Sequence, residues 1–289
     1  MRTVKTGLTV LSFLCSYGIA AQKSTETIAK EIGFSSNSVE NMLVVQNVNG
    51  PISVEGYDGK TIKIEVEKTI SARSQALLEE GRRDIQLKIE EVGQRIYVYL
   101  ESPWNDFDTA IGRYSNRKKN GRWEQPDYRY YLDFKLKVPK NTNVKLATMN
   151  DGDIYAKNVH GEEIIVSNLN GAITLDNITG KTDVNALNRD INITYYKNPS
   201  GDSKYHSLNG DVNVTFQADL NAEVSFKSLN GDMYTNYDTE KLSPRLVQTK
   251  TKNGKKAKYN MSSEQSYRIG NGGIQLDFNL LNGDATLKK

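Results

Sequence analysis

One short pattern returns along this chain: an apolar residue, Asn, usually Gly, usually Asp, then an apolar residue that opens an alternating run. It appears as Val48-Asn49-Gly50-Pro51-Ile52, Leu169-Asn170-Gly171-Ala172-Ile173, Leu187-Asn188-Arg189-Asp190-Ile191, Leu208-Asn209-Gly210-Asp211-Val212, Leu229-Asn230-Gly231-Asp232-Met233 and Leu281-Asn282-Gly283-Asp284-Ala285. Looser copies stand at Met149-Asn150-Asp151-Gly152-Asp153-Ile154 and Asn271-Gly272-Gly273-Ile274. From Asn150 the asparagines fall at 150, 170, 188, 209, 230, 253 and 271, in steps of 20, 18, 21, 21, 23 and 18 residues. A period of this size is the mark of a repeat architecture.

Within the steps from Asn150 to Asn230 a second break recurs near the middle, at His160-Gly161, Thr179-Gly180, Pro199-Ser200-Gly201 and Asp219-Leu220-Asn221. Each unit is therefore two short strands and two corners. Gly reaches the positive φ of a tight corner freely and Asn tolerates it better than most residues. Between corners, runs such as Ile173-Thr174-Leu175 and Val212-Asn213-Val214 alternate with the period of a strand that buries one face. The fold class expected is all-β, a β-solenoid of ~20-residue coils, with the leucine before each Asn forming an inward ladder. Asn-Gly between alternating runs is also a hairpin signal, so a β-sandwich or meander is the alternative.

The expected organisation is a leader at 1–21, an N-terminal cap segment at 22–42 and a single solenoid domain at 43–289, interrupted by an insertion at 101–130. Residues 43–70 read as the first coils. Ala72 to Glu80 is rich in helix formers and predicts one short helix. The insertion holds both tryptophans, Trp104 and Trp123, several other aromatics and the basic residues Arg113, Arg117, Lys118, Lys119 and Arg122. Long loops on a regular scaffold are where binding concentrates. Trp104, Trp123, Arg113, Arg117 and Arg122 are thus candidate ligand residues, since aromatic faces stack on sugars and Arg forks suit carboxylates or phosphates. The competing reading is that the aromatics only cover one side of the solenoid. A second basic run from Lys250 to Lys258 reads as a solvated hairpin.

Residues 1–21 carry Arg2 and Lys5, an apolar stretch from Leu8 to Ile19, and Ala20-Ala21 before a polar run, the layout of a secretory signal peptide. Without them the chain loses its only cysteine, and 36 basic residues face 35 acidic ones. Near-neutrality gives no argument for nucleic acid as a partner. Absence of cysteine excludes disulfides and thiolate chemistry. The expected location is the periplasm, the outer-membrane surface or the extracellular space.

No catalytic residues, metal site or cofactor are expected. The two histidines, His160 and His206, sit near corners without metal-pair spacing, and no nucleophile elbow or phosphate loop is present. The recurring aspartates 153, 190, 211, 232 and 284 have two readings, a shared Ca²⁺ row or acceptors for backbone N–H groups at the corners, and the second suits one carboxylate per coil. An enzyme reading rests on analogy with β-helix polysaccharide lyases and hydrolases, and would need acidic and basic groups gathered in one cleft.

The stretch Leu43-Val44-Val45-Gln46-Asn47-Val48-Asn49-Gly50-Pro51-Ile52-Ser53-Val54-Glu55-Gly56-Tyr57, the passage Phe134-Lys135-Leu136-Lys137-Val138-Pro139-Lys140-Asn141 and the Asn-Gly-Asp units after it resemble the DUF4097-type adhesin-like family. The resemblance runs from about Leu43 to the C-terminus. It implies a β-solenoid, an exported or envelope location and no catalytic residues to carry over. The function expected is a non-catalytic envelope protein that binds a glycan or a surface protein. A periplasmic structural or stress module and a carbohydrate-active enzyme are the alternatives.

Overall fold

The computed structural model describes residues 22–116, 125–243, 246–250, 257–261 and 265–289. Among the described residues two large sheets of ten and eleven strands face each other, and from Tyr128–Pro139 to Ala222–Lys227 the chain passes from one to the other at each corner. Strand pairing along the body is parallel and in register, with Ile52, Ile154, Ile173, Ile191, Val212 and Ala285 lying side by side across one sheet. A meander or sandwich built from hairpins would pair neighbours antiparallel, so the solenoid is the fold.

Among the described residues eight coils stack, each with one strand in either sheet. In spatial order, coil 1 is Arg95–Glu101 with Tyr128–Pro139, coil 2 Met42–Gln46 with Ile52–Tyr57, and coil 3 Asn143–Thr148 with Ile154–Lys157. Coil 4 is Glu163–Asn168 with Ile173–Ile178, and coil 5 Lys181–Ala186 with Ile191–Tyr195. Coil 6 is Ser203–Asn209 with Val212–Thr215, coil 7 Ile274–Asn282 with Ala285–Lys288, and coil 8 Ala222–Lys227 with Met233–Thr235. Alternate residues of both strands meet inside in one continuous core. Each fully buried aliphatic side chain there contributes about 1.5–3 kcal/mol. Aromatic pairs stack within it, Tyr195 on Phe216 at 5.1 Å and Tyr205 on Phe278 at 4.5 Å. The Tyr195 hydroxyl is satisfied by Thr182 Oγ1 at 2.7 Å and Tyr205 Oη at 2.9 Å.

The coil order departs from the chain order at both ends. Coil 7 is the last in sequence yet lies between coils 6 and 8, and coil 1 follows coil 2 in sequence yet lies outside it. The repeats of the solenoid domain at 43–289 thus do not stack in chain order. Asn271-Gly272-Gly273 is not an Asn corner of the main series: it carries the chain from Gln265–Ile269, on one side of Ala222–Lys227, to Ile274–Asn282 on the other. Asn253 lies outside the described residues. Residues 62–72, read as part of a coil, instead pair antiparallel with Tyr128–Pro139 and carry Gln22–Ile32 on their free side. The strand Gln22–Ile32 is an edge studded with Lys23, Glu26, Lys30 and Glu31, charges that discourage further pairing.

The predicted helix forms at Gln75–Asp84, with Ser74 as N-cap accepting from Leu77 N–H and Leu78 packed inward. The Lys250–Lys258 run lies on an antiparallel hairpin, Leu246–Lys250 with Ala257–Met261, and Lys252, Lys255 and Lys256 lie outside the described residues.

At the Asn corners the amides form a ladder. Each side-chain Nδ2 donates to the Oδ1 of the coil before it: Asn150 to Asn49, Asn170 to Asn150, Asn188 to Asn170, Asn209 to Asn188, Asn282 to Asn209 and Asn230 to Asn282, over 2.7–3.2 Å. The aspartates cap backbone: Asp153 accepts from Ala172 N–H, Asp190 from Asp211, Asp211 from Asp284 and Asp284 from Asp232. That is the second of the two readings given for this row.

Glycine serves these corners in two ways, by positive φ at Gly50, Gly210 and Gly283 and by close approach of the neighbouring coil at these and at Gly171. Gly171 has no left-handed φ, yet a Cβ added there would lie 2.0 Å from the Gly152 carbonyl oxygen of the coil beneath. The leucines before Asn do not point inward as expected. Met149, Leu169, Leu208, Leu281 and Leu229 are 37–71 % exposed, and with Val48 and Leu187 they form an outward aliphatic stripe. The reason is phase: Thr182, Val184 and Ala186 point into the core, so alternation sends Leu187 outward.

Candidate ligand cleft at the interrupted corner

Among its described residues coil 1 has no Asn corner. Residues 102–127 replace it, and the insertion therefore emerges at the end of the ladder where Asn49 begins. Its first part is a hairpin, Asn105–Asp108 against Arg113–Asn116. Phe107 stacks on Tyr99 at 4.2 Å and meets Tyr97 and Tyr114 edge-on, closing a small apolar cluster with Met42 and Val44 over the outer face of the eleven-stranded sheet. For Phe107 the covering role weighed against ligand binding is the one the structure shows.

Beside this hairpin lies a cleft of about 860 Å³. Trp104 and Tyr114 come from the insertion, Gln125 and Pro126 from its end, and Tyr128, Tyr130 and Tyr131 from the strand that follows. Asn49, Met149, Asn150 and Asp151 line it from the corners of coils 2 and 3. Trp104 is half-buried, and its Nε1 donates to Tyr128 Oη at 3.1 Å, which in turn donates to Asp84 Oδ2 at 3.0 Å. The Tyr114 hydroxyl accepts from Leu100 N–H at 2.6 Å and faces the Leu100 carbonyl at 3.1 Å. These bonds fix the rings before any ligand arrives.

Burial raises the phenol pKa of Tyr114, Tyr128 and Tyr130. For Tyr128 the Trp104 hydrogen bond works against that rise and the Asp84 carboxylate adds to it. Tyr131, 40 % exposed, is also raised, by burial and then by the charges of Asp133, Asp151 and Asp153. The tyrosines are therefore neutral hydrogen-bonding groups at physiological pH. Asp151 and Arg129 are the charged residues among the described lining. A pair of carboxylates flanking one bond, as glycoside hydrolysis requires, is not formed by that lining. The described residues contain no group of three or more side chains suited to a metal ion.

Of the residues singled out from the sequence, Trp104 lines the cleft. Arg113 does not: it lies on the hairpin beside Lys145, whose pKa is lowered by burial and then by the nearby Arg113 and Arg95. Trp123, Arg117 and Arg122 lie outside the described residues. Tyr131, Asn49 and Asn150 were not foreseen as lining. The two asparagines were visible as corner residues, and what brings them here is the docking of coil 1 on coil 2, which local pattern does not encode.

The family model described as Toastrack DUF4097 matches residues 133–276. No curated protein matches the chain. A solved structure described as a putative cell adhesion protein from Clostridium sporogenes aligns over 92% of this chain and 99% of its own, with 11% identity and a TM-score of 0.42. Another, described as a putative adhesin from Bacteroides fragilis, aligns over 91% of this chain and 96% of its own, with 8% identity and a TM-score of 0.28. Through residues 133–276, which run from coil 1 into coil 7, this chain belongs to the Toastrack DUF4097 family.

Proposed function

We propose that this protein is a non-catalytic, exported envelope module that binds a glycan in the cleft at its interrupted corner. The observation that carries the reading is the cleft lining: one indole and four tyrosines on a rigid scaffold, several with hydroxyls already fixed, beside the amides of Asn49 and Asn150. Aromatic faces cover the C–H faces of sugar rings, and neutral amides and phenols meet their hydroxyls. A few fixed polar groups in a largely preformed cleft are the general form of a small-ligand site. Export is supported by the leader-like residues 1–21, and no helix of the described residues is long and apolar enough to cross a membrane.

Calorimetry of the purified protein against a glycan panel tests the reading, with Trp104→Ala and Tyr131→Ala as cleft variants. At least a tenfold weaker association in both, with unchanged melting and circular dichroism, is expected. Trp123, Arg117 and Arg122 belong in the same mutagenesis set as members of the insertion. Full retention of every glycan interaction in all five variants would sink the proposal. Protease digestion of an epitope-tagged copy on intact cells, compared with permeabilised cells, separates a surface location from a periplasmic one.

A further inference from the structure

The aliphatic stripe is a feature the cleft does not explain. It runs over seven coils from Val48 to Leu229, a length of roughly 30 Å at the spacing of neighbouring strands. Exposed apolar side chains scattered singly need no account, but a continuous row of them does. On one side runs the asparagine ladder. An amide has two N–H donors and two carbonyl lone pairs, and the ladder uses one of each at Asn188 and Asn209, which leaves each of these exposed amides a donor and an acceptor.

On the other side the register sets Ser167, Asn185, His206, Asn279 and Lys227 in a row across the eleven-stranded sheet. Between this row and Leu187, Leu208, Leu281 and Leu229 lies a shallow groove of about 620 Å³. At its other end the stripe reaches the cleft, since Val48 and Met149 line both.

We infer that the stripe and its flanking amides extend the cleft into a track for a linear, neutral, ribbon-shaped polysaccharide lying along the stack axis. This rests on the glycan reading of the cleft and names the class of glycan. A ribbon of linked pyranose rings presents an apolar C–H face with hydroxyls along both edges. The track presents the complement, an apolar line one residue wide, with hydrogen-bonding groups on both sides at coils 4 to 8 and the asparagine ladder alone opposite Ala147 at coil 3. Lys227 is the one permanently charged residue in the flanking rows, which suits a neutral polymer. A specific protein interface takes about 800 Å² from each partner, a broad patch rather than a line one residue wide.

Calorimetry with β-1,4-linked glucose and N-acetylglucosamine oligomers of two to eight rings tests the inference. Affinity is expected to climb with length by about a hundredfold, each ring adding a contact to a ligand already held. The triple variant Leu187→Ser, Leu208→Ser, Leu281→Ser removes only exposed or half-buried side chains. It should flatten the series while leaving the shortest binding oligomer unaffected. Trp104→Ala should instead weaken the whole series. An affinity independent of length, or an unchanged climb in the triple variant, overturns the track and leaves the cleft standing. If no oligomer of any length binds the wild type, the track falls; the cleft reading falls with it only if nothing else in the glycan panel binds either. A wild-type dimer in sedimentation that becomes monomeric in the triple variant would make the stripe a contact between copies, and the inference would be wrong.

Discussion

Replacing Gly171 by alanine asks whether coil stacking, rather than backbone freedom, selects glycine at the Asn corners. The added Cβ would sit 2.0 Å from Gly152 O and 2.7 Å from Asn168 Nδ2. Relief needs a displacement of about 1 Å between coils 3 and 4, because a carbon and an oxygen do not approach closer than about 3 Å without strain. Among the bonds that cross this boundary are Leu169 N–H to Thr148 O at 3.2 Å, Asn170 Nδ2 to Asn150 Oδ1 at 3.2 Å and Asn168 Nδ2 to Gly152 O at 3.0 Å. Losing these three at about 1 kcal/mol each gives a destabilisation of about 3 kcal/mol. For a chain of this size that lowers Tm by about 6–12 °C.

Gly201 is the control. A Cβ there would meet only the Lys181 side chain, at an ordinary 3.7 Å, and its φ is not left-handed. Gly201→Ala should therefore be neutral or stabilise by about 0.5 kcal/mol, by restricting the unfolded chain. Urea melts of both variants decide the matter. Equal shifts in the two would refute the close-approach argument.

Three further outcomes follow from the same structure. Burial raises the Tyr205 phenol from 10.0 to about 12, so the folded state holds that proton more tightly than the unfolded chain. The associated stability is complete below pH 10 and is lost as pH rises toward 12, a loss of roughly 3 kcal/mol. Tyr205→Phe should flatten the fall in urea midpoint across that window, while costing about 1 kcal/mol at neutral pH because Tyr195 Oη loses a partner; an unaltered alkaline slope would show that Tyr205 is not its source. Asn188→Ala breaks the ladder bonds to Asn170 and Asn209 and should cost about 1–2 kcal/mol, seen as faster amide exchange in coils 4 to 6. Leu208→Ser should change stability by less than about 0.5 kcal/mol, as for a surface substitution; a loss of the size of a core deletion would mean the leucine is buried.

Much of the site was hidden for the same reason that much of the fold was open. Trp104 could be singled out as a tryptophan in a long insertion, but its partner Tyr128 lies 24 residues away along the chain, and Asp84, the partner of Tyr128, lies 44 residues from Tyr128. Asn49 and Asn150, a hundred and one residues apart, meet only because coil 3 stacks on coil 2. Arg113 was grouped with Trp104 by sequence proximity, whereas alternation along the hairpin puts Tyr114 toward the cleft and Arg113 away from it.

The chain's own pattern determines that the body is all-β and coiled, because Asn, Gly and Asp every ~20 residues place equivalent ladders at equivalent corners. It also determines which residues of each strand are buried, and the outward leucines were legible from the phase of Thr182, Val184 and Ala186 had hydrophobicity not suggested otherwise. What only the tertiary structure decides is which coil lies beside which. Ile274–Asn282 fits between Ser203–Asn209 and Ala222–Lys227, and Tyr128–Pro139 lies outside Ile52–Tyr57 and against the antiparallel Ile62–Ala72. Near-identical coils offer near-identical local surfaces, so their order is settled by long-range packing, by the Phe278 ring on Tyr205 at one end and the inserted corner at the other.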